Sequence, residues 1–192
     1  DRKRTRAMKY AYFDGSSGLS GDMILGALID LGVETRRFKD TMAGLRLPVD
    51  ISVRRVRRGA LAATKVEVRI RKDEQVERTF ADVERVILRS RFAPSVKDRA
   101  LAVFRRLFEA EAKVHGQKVE EVHFHEVGAL DSIVDIVGTA ICLDHLGIER
   151  VYSSPVRLGS GATVRTQHGM MPVPAPATAQ LLLDYPTNLP LT

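Results

Sequence analysis

The densest cluster of reactive side chains in this 192-residue sequence is His123, Phe124, His125 and Glu126. In an extended strand successive side chains alternate, so His123 and His125 would share one face while Phe124 turns to the core. Two neutral imidazoles so placed can reach one borderline metal such as nickel, zinc or copper. Glu126 joins them only through a turn, which Gly128 permits. Asp131 and Asp135 stand four residues apart on the helix expected next and share a face. Gly138 continues that face and is expected to leave it open for a ligand or another backbone. The metal-ligating candidates are therefore His123, His125, Glu126, Asp131 and Asp135. The same residues also have an ordinary reading. Asp131 can serve the helix N-terminus through the dipole, worth roughly 0.3–1 kcal/mol, with one histidine hydrogen-bonded in the core and the other exposed. His115 and His145 are solitary residues near helix ends, where a C-terminal cation is unremarkable.

A second candidate is the segment GSSGLSGD, read as a loop between a strand and a helix. Gly15, Gly18 and Gly21 let backbone approach a ligand, and amides at the helix N-terminus favour a phosphate or carboxylate. Ser16, Ser17 and Ser20 add hydroxyl donors, while Asp14 and Asp22 bracket the loop and can orient it or touch a metal. It is not a P-loop, because no Gly-Lys-Ser/Thr follows, and it also fails the dinucleotide fingerprint. The competing reading is a tight turn with a serine cap. The third candidate is the turn Gly159, Ser160, Gly161, with Arg157, Arg165 and His168 nearby. Those groups suit a phosphate, although the composition is also that of a plain loop leading to a proline-braced helix. Cys142, inside an apolar helix, reads as a packed small side chain rather than a nucleophile. Nothing fixes a Ser-His-Asp geometry.

These groups need elements to hold them. Residues 9–14 read as a strand, 23–31 as a helix stopped at Gly32, and 34–45 as a second helix. In KVEVRIR, Val66, Val68 and Ile70 alternate with charged residues, the period of a half-buried strand. Its expected partner is 50–58, with Gly59 opening the connection. The period then lengthens. Thr79 with Asp82 reads as a capping box for a helix to about Arg89, and Ser95 with Asp98 as another. The helix after Pro94 carries Val96, Ala100, Phe104, Leu107 and Phe108 on one stripe. A third helix is expected over 130–146, closed by Gly147, then a strand over 151–158. The prolines after His168 forbid a central strand until a last helix near Ala175. This order implies an α+β fold, a mixed sheet packed with several helices in a single compact domain over residues 8–192, with α/β the alternative.

Composition narrows the class. A hydrophobic content of 44% with 28% charged residues is that of a globular protein. The longest apolar run, IVDIVGTAICL, is interrupted by Asp135 and falls short of the ~18–20 residues needed to cross a bilayer. No signal peptide is recognisable, and the lone Cys142 excludes an internal disulfide, so a cytoplasmic location is expected. Half of the net charge of +6 comes from residues 1–7, where Arg2, Lys3, Arg4 and Arg6 face only Asp1. That stretch reads as a basic tail or an expression remnant ahead of a native start at Met8. With no tryptophan, few aromatics and no nucleic-acid motif, neither a nucleic acid nor a membrane is an expected partner.

Together YFDGSSGLSGDMILGALIDLGV and VEEVHFHEVGALDSIVDIVGTAICLDHLGIERVYSSPVRLGSGATVRTQHGMMPVPAPATAQLL resemble the N-terminal region of LarC-type nickel-insertion proteins. The likeness covers most of the chain from Met8 onward, and the order and spacing of the segments make it specific. It implies a nickel chelatase that inserts Ni(II) into pyridinium-3,5-bisthiocarboxylic acid mononucleotide. The product is the nickel-pincer nucleotide used by lactate racemase, and the reaction consumes CTP. Joined to the reading of the residues above, that chemistry is expected to put Ni(II) at His123, His125, Glu126, Asp131 and Asp135, with Glu126 and Asp131 assisting or deprotonating. The anionic nucleotide falls to Asp14, Ser16, Ser17, Gly18, Ser20, Gly21, Asp22, Gly159, Ser160, Gly161 and His168. Family proteins are about twice this length, and CTP, with Mg(II) or Mn(II), is associated with their C-terminal part. Many relatives carry Cys or Ala where this chain has Gly15, which argues against a general thiol role there. The histidine-rich stretch of many relatives is also missing. The residues at hand are thus expected to hold nickel, the pincer precursor or both, as part of a homo-oligomer. The alternative is a non-catalytic metal-binding or oligomerisation module supporting the CTP-binding part. A phosphate-ester hydrolase using Asp14 and Asp22 is a weaker third reading.

Overall fold

Residues 130–146 become α5 (Leu130–Leu146), a helix that buries Leu130, Ile133, Val134, Val137, Ala140, Ile141, Cys142 and Leu143. Apolar residues nearly all round a helix require partners on several sides. The computed structural model describes residues 8–71, 78–123, 130–159, 161, 163–166 and 169–188. Within it α1 (Gly21–Asp30), α2 (Thr35–Met42) and α4 (Pro94–His115) all pack on α5. Phe104 and Phe108 of α4 are fully buried. Each such ring contributes about 1.5–3 kcal/mol through removal from water. The expected stripe on α4 is present, with Leu107 at its half-buried margin.

Two glycines set how closely α1 fits. A Cβ on Gly26 would collide with the Thr64 carbonyl oxygen, and one on Gly138 would lie 2.9 Å from Leu25 Cδ2 and 3.2 Å from the Phe38 ring. Helix α1 is thus pressed between the backbone of a strand and the surface of α5. That strand belongs to a hairpin of β2 (Val49–Arg58) and β3 (Leu61–Ile70), antiparallel from the Val49–Ile70 pair to the Arg58–Leu61 pair. Gly59, at φ 58°, opens the two-residue turn, as a type II′ turn requires of its first position.

Strand β1 (Tyr10–Phe13) pairs in parallel with β4 (Arg150–Ser153), and Lys9 Nζ donates to the Leu146 carbonyl at the end of α5. The helix α3 (Phe80–Arg89) opens with the expected capping box, Thr79 and Asp82 satisfying each other's backbone amides. Its side-chain oxygen is worth about 1 kcal/mol.

The α+β class holds, with the strands distributed over four two-stranded ladders, two parallel and two antiparallel, among the described residues. Two local expectations are corrected. The strand expected over 151–158 breaks at Ser154 and Pro155 into β4 and β5 (Val156–Arg157), because proline lacks the amide that a continuous ladder needs. Strand β6 (Thr163–Thr166) forms a hairpin with β7 (Gly169–Pro172), followed by α6 (Pro176–Leu181), and β8 (Thr187–Asn188) returns to pair with β5. Ser95 does not cap α4: the helix starts at Pro94 with Ala93 as its cap, and the Ser95 hydroxyl donates instead to Asp144 at 2.6 Å.

Candidate functional site

The loop after β1 is stitched down by its own backbone. The Ser16 amide donates to Asp14 Oδ1 at 3.0 Å, and the Gly18 amide to the Gly15 carbonyl at 3.0 Å. These bonds hold the Asp14 carboxyl below the usual carboxylate range, the Ser16 amide being the main cause. Gly15 is buried, and its amide donates to the Ser154 hydroxyl at 2.8 Å. Arg157 Nη1 reaches the Ser16 carbonyl at 3.5 Å, so the loop and the start of the C-terminal segment are neighbours. Gly18 adopts φ 90°, a conformation that side chains resist.

Helix α1 then begins at Gly21, two residues earlier than the sequence pattern implies, and Ser20 provides no side-chain cap. Its hydroxyl donates instead to Asp22 Oδ1 at 2.5 Å, which also accepts the Met23 amide at 2.9 Å. The serine-cap reading is thereby corrected: Asp22, inside the first turn, takes the role. Ser16, Ser17 and Ser20 are exposed, so the loop presents hydroxyls to solvent beside a helix N-terminus.

The first turns of α1 and α5 meet at Gly21. The Asp135 carboxyl occupies the volume that a side chain at position 21 would take. Burial, then Asp131, then Asp22 push its pKa up to about 6. Asp22, Asp131 and Asp135 thus share one junction, and among the described residues none of them has an ion-pair partner. Asp131 Oδ1 accepts the Ser132 amide at 2.8 Å, the dipole-serving role of a helix start. Among the described residues no group of three or more His, Cys, Asp or Glu side chains could hold a metal ion.

The five metal candidates divide accordingly. Asp131 and Asp135 lie at the junction. His123 is exposed directly after the buried Val122, as an alternating extended segment requires. His125 and Glu126 lie outside the described residues, as do Ser160 and His168 of the third segment. Gly159 packs against Val173, a Cβ there falling 2.8 Å from Val173 Cγ1, and Gly161 adopts φ 73°. The open face expected at Gly138 is filled by Leu25 and Phe38, because α1 and α2 both need α5 for burial. His145 is also not the terminal cation its position suggested. Burial first, then the nearby Arg37, lower its pKa and favour the neutral ring. Cys142 is fully buried, and burial pushes its thiol up to about 12, which keeps it inert at neutral pH. The residue that pattern reading passed over is Ser154, whose hydroxyl anchors the loop from across the sheet. Its signal was the Ser-Ser-Pro break at a strand end.

A glycine-rich loop, a helix N-terminus and a carboxylate junction define a domain built to present polar groups at one end of two packed helices. The chain belongs to the nickel insertion protein family, whose model, described as "Nickel insertion protein", matches residues 11–190. It is 45% identical to the pyridinium-3,5-bisthiocarboxylic acid mononucleotide nickel insertion protein of Acetivibrio thermocellus, over 95% of this chain and 46% of that protein. A protein of Pelobacter propionicus, provisionally named a nickel insertion protein, is 53% identical over 89% of this chain and 44% of its own length. The chain spans about half the length of the curated relatives it matches. No solved structure matches it significantly.

Proposed function

We propose that this chain is the part of a nickel-inserting protein that holds Ni(II) and an anionic pyridinium mononucleotide while the metal is delivered. The observation that supports this reading is the meeting of the half-buried Asp135 with Asp22 and the exposed Asp131 beside a donor-rich loop. These carboxylates have no ion-pair partner among the described residues and make no complete ligand set without the histidines. His123, His125, Glu126, Asp131 and Asp135 take the nickel. Glu126 or Asp131 accepts the proton that leaves the pyridinium ring as the nickel–carbon bond forms. The phosphate and thiocarboxylates fall to residues 14–22 and to Gly159, Ser160, Gly161 and His168. The product is the nickel-pincer cofactor of lactate racemase and similar enzymes, made in the cytoplasm.

CTP, with its Mg(II) or Mn(II), we assign to the part of the full-length protein that the relatives have in addition. The loop here has no lysine following it to meet a β- or γ-phosphate, so the triphosphate does not fit this site. Calorimetry with Ni(II) tests the reading. The His123→Ala/His125→Ala double variant should bind at least about tenfold more weakly, and unchanged affinity would remove the metal role.

A second reading has its own observation. Tyr10, Tyr12 and Tyr152 are 68%, 61% and 49% exposed on the β1–β4 pair. An aromatic face of this kind suits self-association, and the chain would then act as an assembly module for the CTP-binding part. Tight self-association without nickel uptake would favour it.

A further inference from the structure

On another side of α5, the corner between α2 and β2 forms an open-sided cavity of about 500 Å³. That size lies within the range of small-molecule sites. Its floor is apolar: Met42, Leu47, Ile51 and Val134. Its rim is basic, with Lys39, Arg46 and Arg71, and Asp50 is the one carboxylate in the lining among the described residues. Arg71 is already committed, its Nε donating to Asp50 Oδ1 at 2.9 Å and its Nη2 to the Val49 carbonyl at 3.1 Å. Among the described residues, neither the Lys39 ammonium nor the Arg46 guanidinium has a carboxylate or carbonyl partner. Two positive charges therefore remain over an apolar floor.

Arg46 adds a second mark. At φ 53° it is the one non-glycine in the left-handed region among the described residues. Glycine adopts that conformation freely, whereas a residue with a Cβ is strained there. Such outliers gather where a side chain is held in place for a ligand. Here the left-handed residue also ends the turn after α2, its amide donating to the Ala43 carbonyl at 3.1 Å, while the Arg46 side chain has no hydrogen-bond or ion-pair partner among the described residues.

We propose that this cavity binds a small phosphate monoester with a flat or apolar body. A monoester phosphate carries close to two negative charges at neutral pH, matching the uncommitted Lys39 and Arg46. Its organic part would cover the floor. A mononucleotide belongs to this class, but the inference rests on the cavity and not on the nickel reading. It predicts no role for His123, His125 or the carboxylates at Gly21.

Phenyl phosphate, benzoate and inorganic phosphate, titrated into the intact chain and followed by nuclear magnetic resonance, test the proposal. Phenyl phosphate should bind in the millimolar range or tighter, as its few atoms permit, and shift the Met42 methyl and Ile51 signals. It should exceed inorganic phosphate and benzoate by about fivefold each, because the first lacks the body and the second carries a single charge. In Lys39→Gln/Arg46→Gly affinity should fall about tenfold. The glycine relieves the backbone at 46, so the thermal midpoint should not drop and loss of folding cannot mimic loss of the site. The proposal is overturned by absence of phenyl phosphate binding, by equal binding of benzoate or of inorganic phosphate, or by unchanged affinity in the double variant. A chain that loses nickel binding on His123→Ala/His125→Ala yet keeps phenyl phosphate shows the two sites to be separate. Loss of both in that variant would count against the cavity.

Discussion

Helix α5 carries two unlike regions. Where its first turn meets Gly21, the carboxylates of Asp22, Asp131 and Asp135 are crowded together with no ion-pair partner among the described residues. At the α2–β2 corner, around Val134, the rim is cationic and its acid Asp50 is already paired with Arg71. One helix thus separates a place that favours a cation from a place that favours an anion. Val134 and Asp135 are adjacent in sequence, and the turn of about 100° per residue sends them to different surroundings. The contrast shows that one helix can hold two regions of opposite charge apart by facing them in different directions.

The most severe way to break the comparison is through that scaffold. Gly138→Val should cost about 2–3 kcal/mol, since the new side chain meets Leu25 and Phe38 in a filled core. Thermal unfolding should show the loss, and both regions should lose ligand affinity together. Loss at one region alone would argue that α5 does not support both.

A narrower test acts on the acidic side. Burial pushes the folded Asp135 carboxyl up to about 6, above the ordinary value of 3.8. The unfolded chain therefore releases its proton first, and stability falls as pH rises from about 4 to 6, then stays low. Asp135→Asn should remove that loss and stabilise the protein at pH 7 by about 1 kcal/mol, after discounting for solvent screening of a half-buried group. At pH 4 variant and parent should unfold at nearly the same temperature. An equal difference at both pH values would remove titration of this carboxyl as the cause. Asp82 has the opposite sign: its hydrogen bonds from Thr79 lower its pKa, so its contribution is present above the unfolded value and is lost in acid.

The smallest effect is the most local. Ser154→Ala removes the acceptor of the Gly15 amide, at a cost of about 1 kcal/mol. It should loosen the loop at 14–20 and weaken anion binding there while leaving the α2–β2 cavity unchanged. Equal effects on the two would show that the loop and the cavity are coupled.

Much of this architecture was legible in the sequence because periodicity reports burial. The limits of α5, the strand through Val66 and Val68 with its partner, and the Thr79–Asp82 box each follow from residues within one turn or one strand pair. What was hidden depends on partners distant in the chain. Gly138 looked like an opening because nothing local says that Leu25 and Phe38 will fill it. The Ser154 anchor and the break at Pro155 are visible only once β1 lies beside β4. The candidate site was half legible: Asp131 and Asp135 could be placed on one face, but Asp22 reaches them from more than a hundred residues away. No motif announces the cavity, whose lining runs from Lys39 to Val134.

The close seating of α1 on β3 has a consequence for motion. Gly26 lies against the Thr64 carbonyl and Leu25 against Gly138, so α1 is gripped from both sides in its second turn. Any movement that accompanies ligand capture by the loop must then end before Leu25 and be taken up between Gly15 and Ser20. Amide hydrogens in the second half of α1 should exchange only with global opening, while those of Ser17 and Leu19 exchange quickly. On that arrangement α1 from Leu25 onward is the fixed post, and the loop is the part left to adjust.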